Sequence, residues 1–237
     1  LLVKLLDVHD RLSVQVHPRT STTPDRGGVR AKTETWVVLE ADPQAELLIG
    51  FKPGVTIAEI RRAAGTAAVA ELMRRVPARV GDTHHLPAGT PHAVLGPVLL
   101  AEIQTPSDTT FRLYDWAEAG KPSRALHVDE AMGTLASAPP QTLSGEGSQV
   151  TLPFDAGVYY VARHDLDGEA TRSVGSGALR IILVTEGEVS GDGFRWPVGA
   201  GATVVLPAAW SGTLRASLPT SWIEVTLSPS GTMTGRG

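Results

Sequence analysis

The sequence predicts an all-β protein made of two small antiparallel β-barrels, with one helical insertion in the first barrel. The 25 glycines and 17 prolines among 237 residues predict many turns. The apolar segments between these turns are short, which favours strands over long helices. The same order of a glycine turn, a strand and a Leu-Pro-Ala turn occurs at 81–88 and again at 199–208, as expected for a duplicated barrel.

The composition restricts the classes of function. Hydrophobic residues make up 42% and charged residues 19% of the chain, which is typical of a folded protein. The net charge is -4 and no basic stripe occurs, so nothing predicts nucleic-acid binding. Because there are no cysteines, disulfides and thiolate metal sites are excluded, and a metal would need His, carboxylate or amide ligands. The absence of cysteine also fits the cytoplasm.

The start of the chain predicts a strand. Residues 1–6 are apolar but short, and Lys4 interrupts them, which argues against a signal peptide or a membrane span. The chain begins without Met and in the middle of this pattern, so we expect the N-terminus to be incomplete.

Alternation and turn residues place the other elements of the first half. Thr56 and Glu59 have the spacing of a capping box, so we predict a helical insertion near 56–77 that Pro77 ends. A short helix is expected at 127–135. Apolar and alternating runs predict strands at 1–18, 35–40, 45–51, 93–104 and 111–116.

These elements suggest two domains. The first, a metal-binding domain, covers 1–135, and a polar stretch rich in Pro, Gly and Ser at 136–149 is predicted to be a linker. The second domain covers 150–237, with its clearest strands at 179–186, 202–206 and 222–227. Because no histidine follows its Leu-Pro-Ala turn, we expect this domain to lack a metal.

Four residues of the first domain form a candidate metal site. Gln15 and His17 are two positions apart, so on a strand their side chains share one face. Glu34 lies near the start of the next strand, and His92 follows a turn that would direct it to the barrel mouth. Such N and O donors suit zinc or another first-row divalent ion. The alternative is that these are ordinary surface, turn and solvated residues.

Further polar residues lie near this set in the sequence. Lys32 is two positions before Glu34 and would share its face. Asp108 and Arg112 flank a polar run, and the guanidinium suits a phosphate or a developing oxyanion. Considered alone, each of these three residue types is more often solvated or structural than catalytic.

Three other ionisable residues are expected to be structural. Glu102 lies in an apolar strand, where a buried carboxylate needs a partner. His127 and His164 have no neighbours in the sequence that resemble metal ligands.

Several strings in the first domain together resemble one family. They occur in the order of the type I mannose-6-phosphate isomerases, whose metal domain is a cupin, a jelly-roll-like barrel. The resemblance covers residues 1–135, while the rest is similar only in outline to the second, metal-free cupin of that family. The matching strings are Leu5-Leu6-Asp7, Leu12-Ser13-Val14-Gln15-Val16-His17-Pro18, Lys32-Thr33-Glu34-Thr35-Trp36, Pro87-Ala88-Gly89-Thr90-Pro91-His92-Ala93, Glu102-Ile103-Gln104, 107–116 and Arg124-Ala125-Leu126-His127.

The resemblance implies a metal-dependent aldose–ketose isomerase that interconverts mannose 6-phosphate and fructose 6-phosphate through an enediolate. It implies zinc ligands at Gln15, His17, Glu34 and His92. It also implies that Lys32, Asp108 and Arg112 are catalytic residues placed around the sugar phosphate. We predict that Arg112 stabilises the enediolate or holds the open-chain sugar, and that Lys32 shuttles a proton or binds the substrate. Asp108, four positions from Arg112, is predicted to orient it. The expected partner is a small sugar phosphate, with no nucleic acid and no membrane, and the protein is expected to be a cytoplasmic monomer or weak homo-oligomer.

The chain departs from the family pattern in two places. Arg19-Thr20 replaces an acidic pair after the His-Pro step, and the family's usual N-terminal segment does not precede these motifs. Two other functions therefore stay open at this point. One is another metal cupin such as a dioxygenase, which would need iron, and the other is a non-catalytic cupin that binds a sugar phosphate.

Overall fold

The computed structural model describes residues 1–20, 29–116 and 124–227, and these residues divide into two compact units between Val150 and Thr151. The predicted linker at 136–149 is part of the first unit rather than a separate connection. Residues 228–237 of the predicted second domain lie outside the described part of the chain.

The first unit contains two five-stranded antiparallel sheets. In spatial order, the first sheet consists of β1 (Leu2–Val8), β8 (Val98–Gln104), β3 (Glu34–Ala41), β6 (Thr83–Leu86) and β10 (Gln149–Val150). The second consists of β5 (Met73–Pro77), β4 (Glu46–Phe51), β7 (His92–Leu95), β2 (Val14–Val16) and β9 (Phe111–Tyr114). Side chains from both sheets, among them Trp36, Leu47, Ile49 and Leu100, form a shared apolar core.

Four short helices complete the first unit: α1 (Ile57–Ala63), α2 (Ala68–Glu71), α3 (Val128–Ala136) and α4 (Pro140–Ser144). The capping box is confirmed, because Thr56 Oγ1 accepts from Glu59 N and the Glu59 carboxylate accepts from Thr56 N. Among the helices described, none has the length and apolar character needed to cross a lipid bilayer.

The predicted helix through 56–77 is wrong in its second half. Helix α1 ends at Ala63, and Gly65 adopts a φ of 82°, a left-handed conformation that does not continue a helix. Residues 73–77 instead form β5, which pairs with β4 through Leu47 and Val76. The open edge of β4 provides hydrogen-bond partners that helical spacing alone does not reveal.

The segment 136–149 packs against the first barrel. Gly50 in β4 has a φ of 73°, and a Cβ atom placed there would lie 2.1 Å from the carbonyl carbon of Ser144. The Ser144 carbonyl also accepts from Arg74 Nη1 at 2.8 Å. The segment 136–149 is therefore packed against the barrel rather than being a flexible linker. Backbone atoms of the segment make these contacts, so its Pro and Gly composition does not reveal them.

The second unit is also built from two antiparallel sheets, and the all-β prediction is confirmed. The first consists of β11 (Phe154–Asp155), β12 (Tyr159–Leu166), β19 (Thr220–Leu227), β14 (Arg180–Glu186) and β17 (Thr203–Leu206). The second consists of β13 (Ala170–Val174), β18 (Gly212–Ala216), β15 (Glu188–Gly191) and β16 (Val198–Gly199). Their facing side chains, including Ile182, Val184, Leu214 and Trp222, form a separate core.

We expect Gly50→Ala to lower the free energy of unfolding by about 3 kcal/mol, because it adds left-handed strain and a clash with the Ser144 backbone. Gly54→Ala is the matched control, since Gly54 has a φ of 84° but open space around it, and it should cost only about 1 kcal/mol. Urea unfolding measures both values. Equal losses would show that the contact at Ser144 does not constrain the first unit.

Candidate active site and metal centre

Three buried side chains from different strands converge inside the first unit. His17 follows β2, while Glu34 begins β3 and His92 begins β7. The Nε2 atoms of His17 and His92 lie 3.3 Å and 3.2 Å from the two Glu34 carboxylate oxygens. The exposed fractions of the three residues are only 2%, 1% and 1%, so this polar group is shielded from water.

Backbone carbonyls orient both imidazoles. His17 Nδ1 lies 3.0 Å from the Thr109 carbonyl oxygen, and His92 Nδ1 lies 2.9 Å from that of Thr90. A protonated Nδ1 donates to each carbonyl, which leaves both Nε2 lone pairs directed towards Glu34. This is the arrangement found around histidines that bind metals.

The convergent nitrogen and oxygen atoms are buried acceptors that face one another. With both Nδ1 atoms protonated, no hydrogen lies between the two Nε2 atoms and the Glu34 carboxylate, whose Oε2 forms an ion pair with Lys32 at 2.8 Å. Leaving such groups unpaired is costly. The candidate ligand atoms of His17, Glu34 and His92 all lie within 4.8 Å of one another. A divalent cation would satisfy all of them at once, so the residues present fit a metal.

The protonation states also suit a metal. Burial acts to raise the pKa of Glu34, but the facing His17, His92 and Lys32 outweigh it and hold that pKa well below its usual value. Burial lowers the pKa of His92 to about 4. At neutral pH the site therefore offers a carboxylate and a neutral imidazole, which are the forms that bind metals.

Gln15 completes the predicted ligand set. In the sheet register Gln15 lies opposite His92 on one side and Arg112 on the other. Its amide nitrogen is 3.1 Å from His92 Nε2, while its amide oxygen accepts from Ser13 Oγ. Because a hydroxyl can donate or accept, Ser13 can hold the amide in either of its two orientations. The amide oxygen can thus also face the site.

Lys32 lies beside the carboxylate, as its spacing from Glu34 predicted. Its Nζ is 2.8 Å from Glu34 Oε2 and 3.8 Å from Glu102 Oε1. Glu102 also pairs with Lys4 at 2.9 Å, and Lys4 donates to Gln104 Oε1 at 2.6 Å. Glu102 therefore has the charged partners that its buried strand position required, one of them half-buried and one buried.

Two residues that contact this group, Lys4 and Gln104, were not predicted from the sequence. A sign of the Lys4 contact was nevertheless present in the sequence, because Lys4 interrupts an apolar strand. Register then places Lys4 directly opposite Glu102 in the paired strand. A lysine within such a strand indicates a carboxylate on its neighbour.

Arg112 is close to the site, but Asp108 is not its partner. Asp108 is exposed in the loop before β9. Burial lowers the pKa of Arg112, and the positive charge of Arg124 lowers it further. The carboxylate of Asp115 acts in the opposite direction. Among described residues Asp115 is paired with Arg124 at 2.6 Å. The predicted orienting role of Asp108 is therefore not supported by a contact.

His127, expected to be only structural, lies beside Arg112. The His127 backbone donates to the Arg112 carbonyl at 2.9 Å, and His127 Nδ1 accepts from Arg112 N at 3.4 Å. The Arg112 Nε atom is buried and makes no hydrogen bond with the described residues. Its backbone is thus fixed while its guanidinium keeps donor capacity for a ligand.

The fold and the site together define a cupin-type β-barrel protein, in whose described residues a buried His-Glu-His group could hold a metal ion. Over 216 residues, 87% of the chain, it is 30% identical to "Mannose-6-phosphate isomerase" of Streptococcus mutans, of which it covers 68%. It is also 30% identical to "Probable mannose-6-phosphate isomerase GmuF" of Bacillus subtilis, of which it covers 69%. The chain therefore belongs to the mannose-6-phosphate isomerase family. No sequence-family model matches it.

Solved structures show the same fold. The mannose 6-phosphate isomerase from Bacillus subtilis is 24% identical and superposes with a TM-score of 0.74, over 94% of this chain and 74% of that one. A structure described as a putative mannosephosphate isomerase from Archaeoglobus fulgidus is 17% identical with a TM-score of 0.69, over 95% of this chain and 71% of that one.

We expect Glu34→Gln to weaken metal retention by at least about a hundredfold, because it replaces the charged oxygen ligand between two imidazoles. Glu40→Gln is the matched control, since Glu40 lies on the same strand but is exposed. Elemental analysis after dialysis against a weak chelator measures the bound metal. Equal metal content in the two variants would contradict this assignment of the site.

Proposed function

We propose that this chain interconverts mannose 6-phosphate and fructose 6-phosphate, the reaction for which its relatives are named. The observation that carries the proposal is the buried, convergent group of His17, Glu34 and His92, with Lys32 2.8 Å from its carboxylate. It supplies a candidate metal site and, directly beside it, a proton-carrying side chain. Both are suited to isomerising a hydroxy-carbonyl sugar.

The difficulty of this reaction is the weak acidity of a C–H bond next to a carbonyl. One proton leaves C2 of the aldose and one is returned to C1, while another moves between the two neighbouring oxygens. The intermediate between the two sugars is an enediolate, whose negative charge must be stabilised. Catalysis therefore needs positive charge at the oxygens and a group that carries protons.

We propose that the metal is zinc, bound by Gln15, His17, Glu34 and His92. When bound, a divalent metal stabilises negative charge that develops on the substrate oxygens. The donor set is one amide, two imidazoles and one carboxylate, without a thiolate, and other first-row ions could occupy it. Thr90 and Thr109 support the ligands by holding the two imidazoles through their carbonyls.

In the proposed mechanism Lys32 and Arg112 act on the substrate directly. The Lys32 side chain is only 6% exposed and lies beside Glu34 and Glu102, so it can shuttle a proton between sugar oxygens without competition from bulk water. Arg112 has a buried Nε with no partner among the described residues. It can donate to the enediolate or hold the open-chain sugar.

Asp108 is proposed to contact the substrate, whereas its spacing from Arg112 had suggested that it orients Arg112. It is exposed at the start of the run that leads into β9, so it is available to bind a hydroxyl of the sugar rather than to orient Arg112. The loop behind it is fixed, because Gln104 Nε2 donates to the Ser107 carbonyl at 2.6 Å and Thr109 N donates to Ser107 Oγ at 3.3 Å.

We also propose a cellular location and an oligomeric state for the enzyme. The absence of cysteine supports a cytoplasmic location. We further propose that the protein is a monomer or a weak homo-oligomer. Size-exclusion chromatography with light scattering, over a range of concentrations, measures this state directly.

The proposed activity is tested by assaying conversion of mannose 6-phosphate with and without a chelator, followed by addition of zinc. We expect turnover that the chelator abolishes and zinc restores, because the ligands are buried and organised around one ion. Absence of turnover with one zinc per chain would contradict the proposal. Oxygen consumption by an iron-loaded sample would instead support an oxygenase.

We expect Arg112→Ala to lower kcat by about a hundredfold to a thousandfold, the usual effect of removing a donor to a developing oxyanion. The metal content should stay near one per chain, because Arg112 is not a proposed ligand. Arg61→Ala is the matched control, since Arg61 pairs only with the exposed Asp129 on a surface helix. An unchanged kcat in the Arg112 variant would remove this residue from the chemistry.

A further inference from the structure

The second unit contains a group of ionisable side chains that the proposed isomerase activity does not use. We call it the lumen charge cluster, and it consists of His164, Arg172, Arg180 and Glu224. Glu224 is at its centre, since its Oε2 lies 3.2 Å from His164 Nε2 and 3.7 Å from Arg172 Nη2. Its Oε1 lies 3.3 Å from Arg180 Nε. His164, expected to be structural, meets these partners through the fold rather than through neighbours in the sequence.

The cluster faces the interior of the barrel. On β19, Glu224 is two positions from Trp222, and on β14, Arg180 is two positions from Ile182, so both share the face of the apolar core. Arg172 is likewise two positions before the core residue Val174, on a strand of the other sheet. The two sheets of the second unit therefore direct charged side chains into one lumen.

Positive charge exceeds negative charge in this cluster. Two guanidinium groups, which stay charged at any physiological pH, face a single carboxylate. The side chains of Glu224, His164 and Arg180 are only 8%, 18% and 18% exposed, and Arg172, at 38%, opens the cluster to solvent. Uncompensated charge in such a shielded place is unfavourable. A second anion would balance it.

The cluster also holds a buried donor without a partner. Among the described residues, Arg172 Nε is buried and makes no hydrogen bond, while His164 Nε2 and Glu224 Oε2 face each other at 3.2 Å. Arg180 is held in place, because its Nη1 donates to the carbonyls of Gly175 and Ala178 at 2.9 Å and 3.2 Å. A fixed guanidinium beside an unpaired donor is a feature of a site prepared for a ligand.

We propose that the lumen charge cluster of the second unit binds a phosphate group, either free or as a phosphomonoester. A phosphate accepts hydrogen bonds from Arg172 and Arg180 and balances their excess charge. Its monoprotonated form also has a hydrogen-bond donor, which the Glu224 carboxylate can accept. A carboxylate ligand has no proton to donate there, so the cluster favours phosphate over a carboxylate.

The test is calorimetric titration of the Arg112→Ala chain, which weakens any phosphate binding in the first unit. Inorganic phosphate and methyl phosphate are the two probes, and sodium chloride of equal ionic strength is the reference. We expect saturable binding near one equivalent of phosphate. Binding of methyl phosphate as well assigns the site to phosphomonoesters, and binding of inorganic phosphate alone assigns it to the free anion.

Adding Arg172→Gln should weaken phosphate binding at least about tenfold, because it removes a charged donor. Arg163→Gln is the matched control, since Arg163 lies next to His164 on the same strand and pairs with the exposed Asp165. The affinity of this variant for phosphate should not change. Adding Glu224→Gln should instead tighten binding, because it removes the competing negative charge.

Opposite effects of Arg172→Gln and Glu224→Gln distinguish a binding site from a structural ion-pair network. A structural network predicts that both changes lower stability and that neither chain binds phosphate. Absence of saturable phosphate binding in the Arg112→Ala chain, or equal affinity in the Arg172 and Arg163 variants, would overturn the proposal. If Glu224→Gln does not fold, Arg180→Gln takes its place, and it must weaken phosphate binding as Arg172→Gln does.

Discussion

The buried carboxylate of Glu34 constrains the whole first unit. It is 1% exposed and faces two imidazoles and the ammonium group of Lys32, which lies 2.8 Å from Oε2. A carboxylate buried in this way needs a positive charge at short distance. Lys32 supplies that charge, and His17 and His92 reach the carboxylate from other parts of the sequence. Chemistry and folding therefore depend on the same contacts.

Antiparallel register is what brings these segments together. Gln15 lies opposite His92 on one neighbouring strand and opposite Arg112 on the other, so one short strand aligns a ligand, a second ligand and a catalytic candidate. A shift of one residue would turn each of these side chains to the other face of the sheet. The buried Val14 and Val16 on either side of Gln15 prevent that shift, because it would expose them.

Much of the architecture was predictable from local sequence. Alternation located most strands, and the Thr56–Glu59 box located the start of α1. The spacing of Gln15, His17, Glu34 and His92 anticipated which side chains meet. The strand at 73–77, the packing of 136–149 and the row through Lys4 were missed, because each depends on a partner distant in the sequence. His164 was missed for the same reason, since Glu224 is 60 positions away.

The most direct test of this account is a crystal structure of the purified chain, with anomalous data collected at the absorption edge of its bound metal. We predict a single strong peak in the first unit, bounded by the Nε2 atoms of His17 and His92, the Glu34 carboxylate and the Gln15 amide oxygen. An active enzyme whose metal lies elsewhere, or whose His17, Glu34 and His92 bind only one another, would contradict the account.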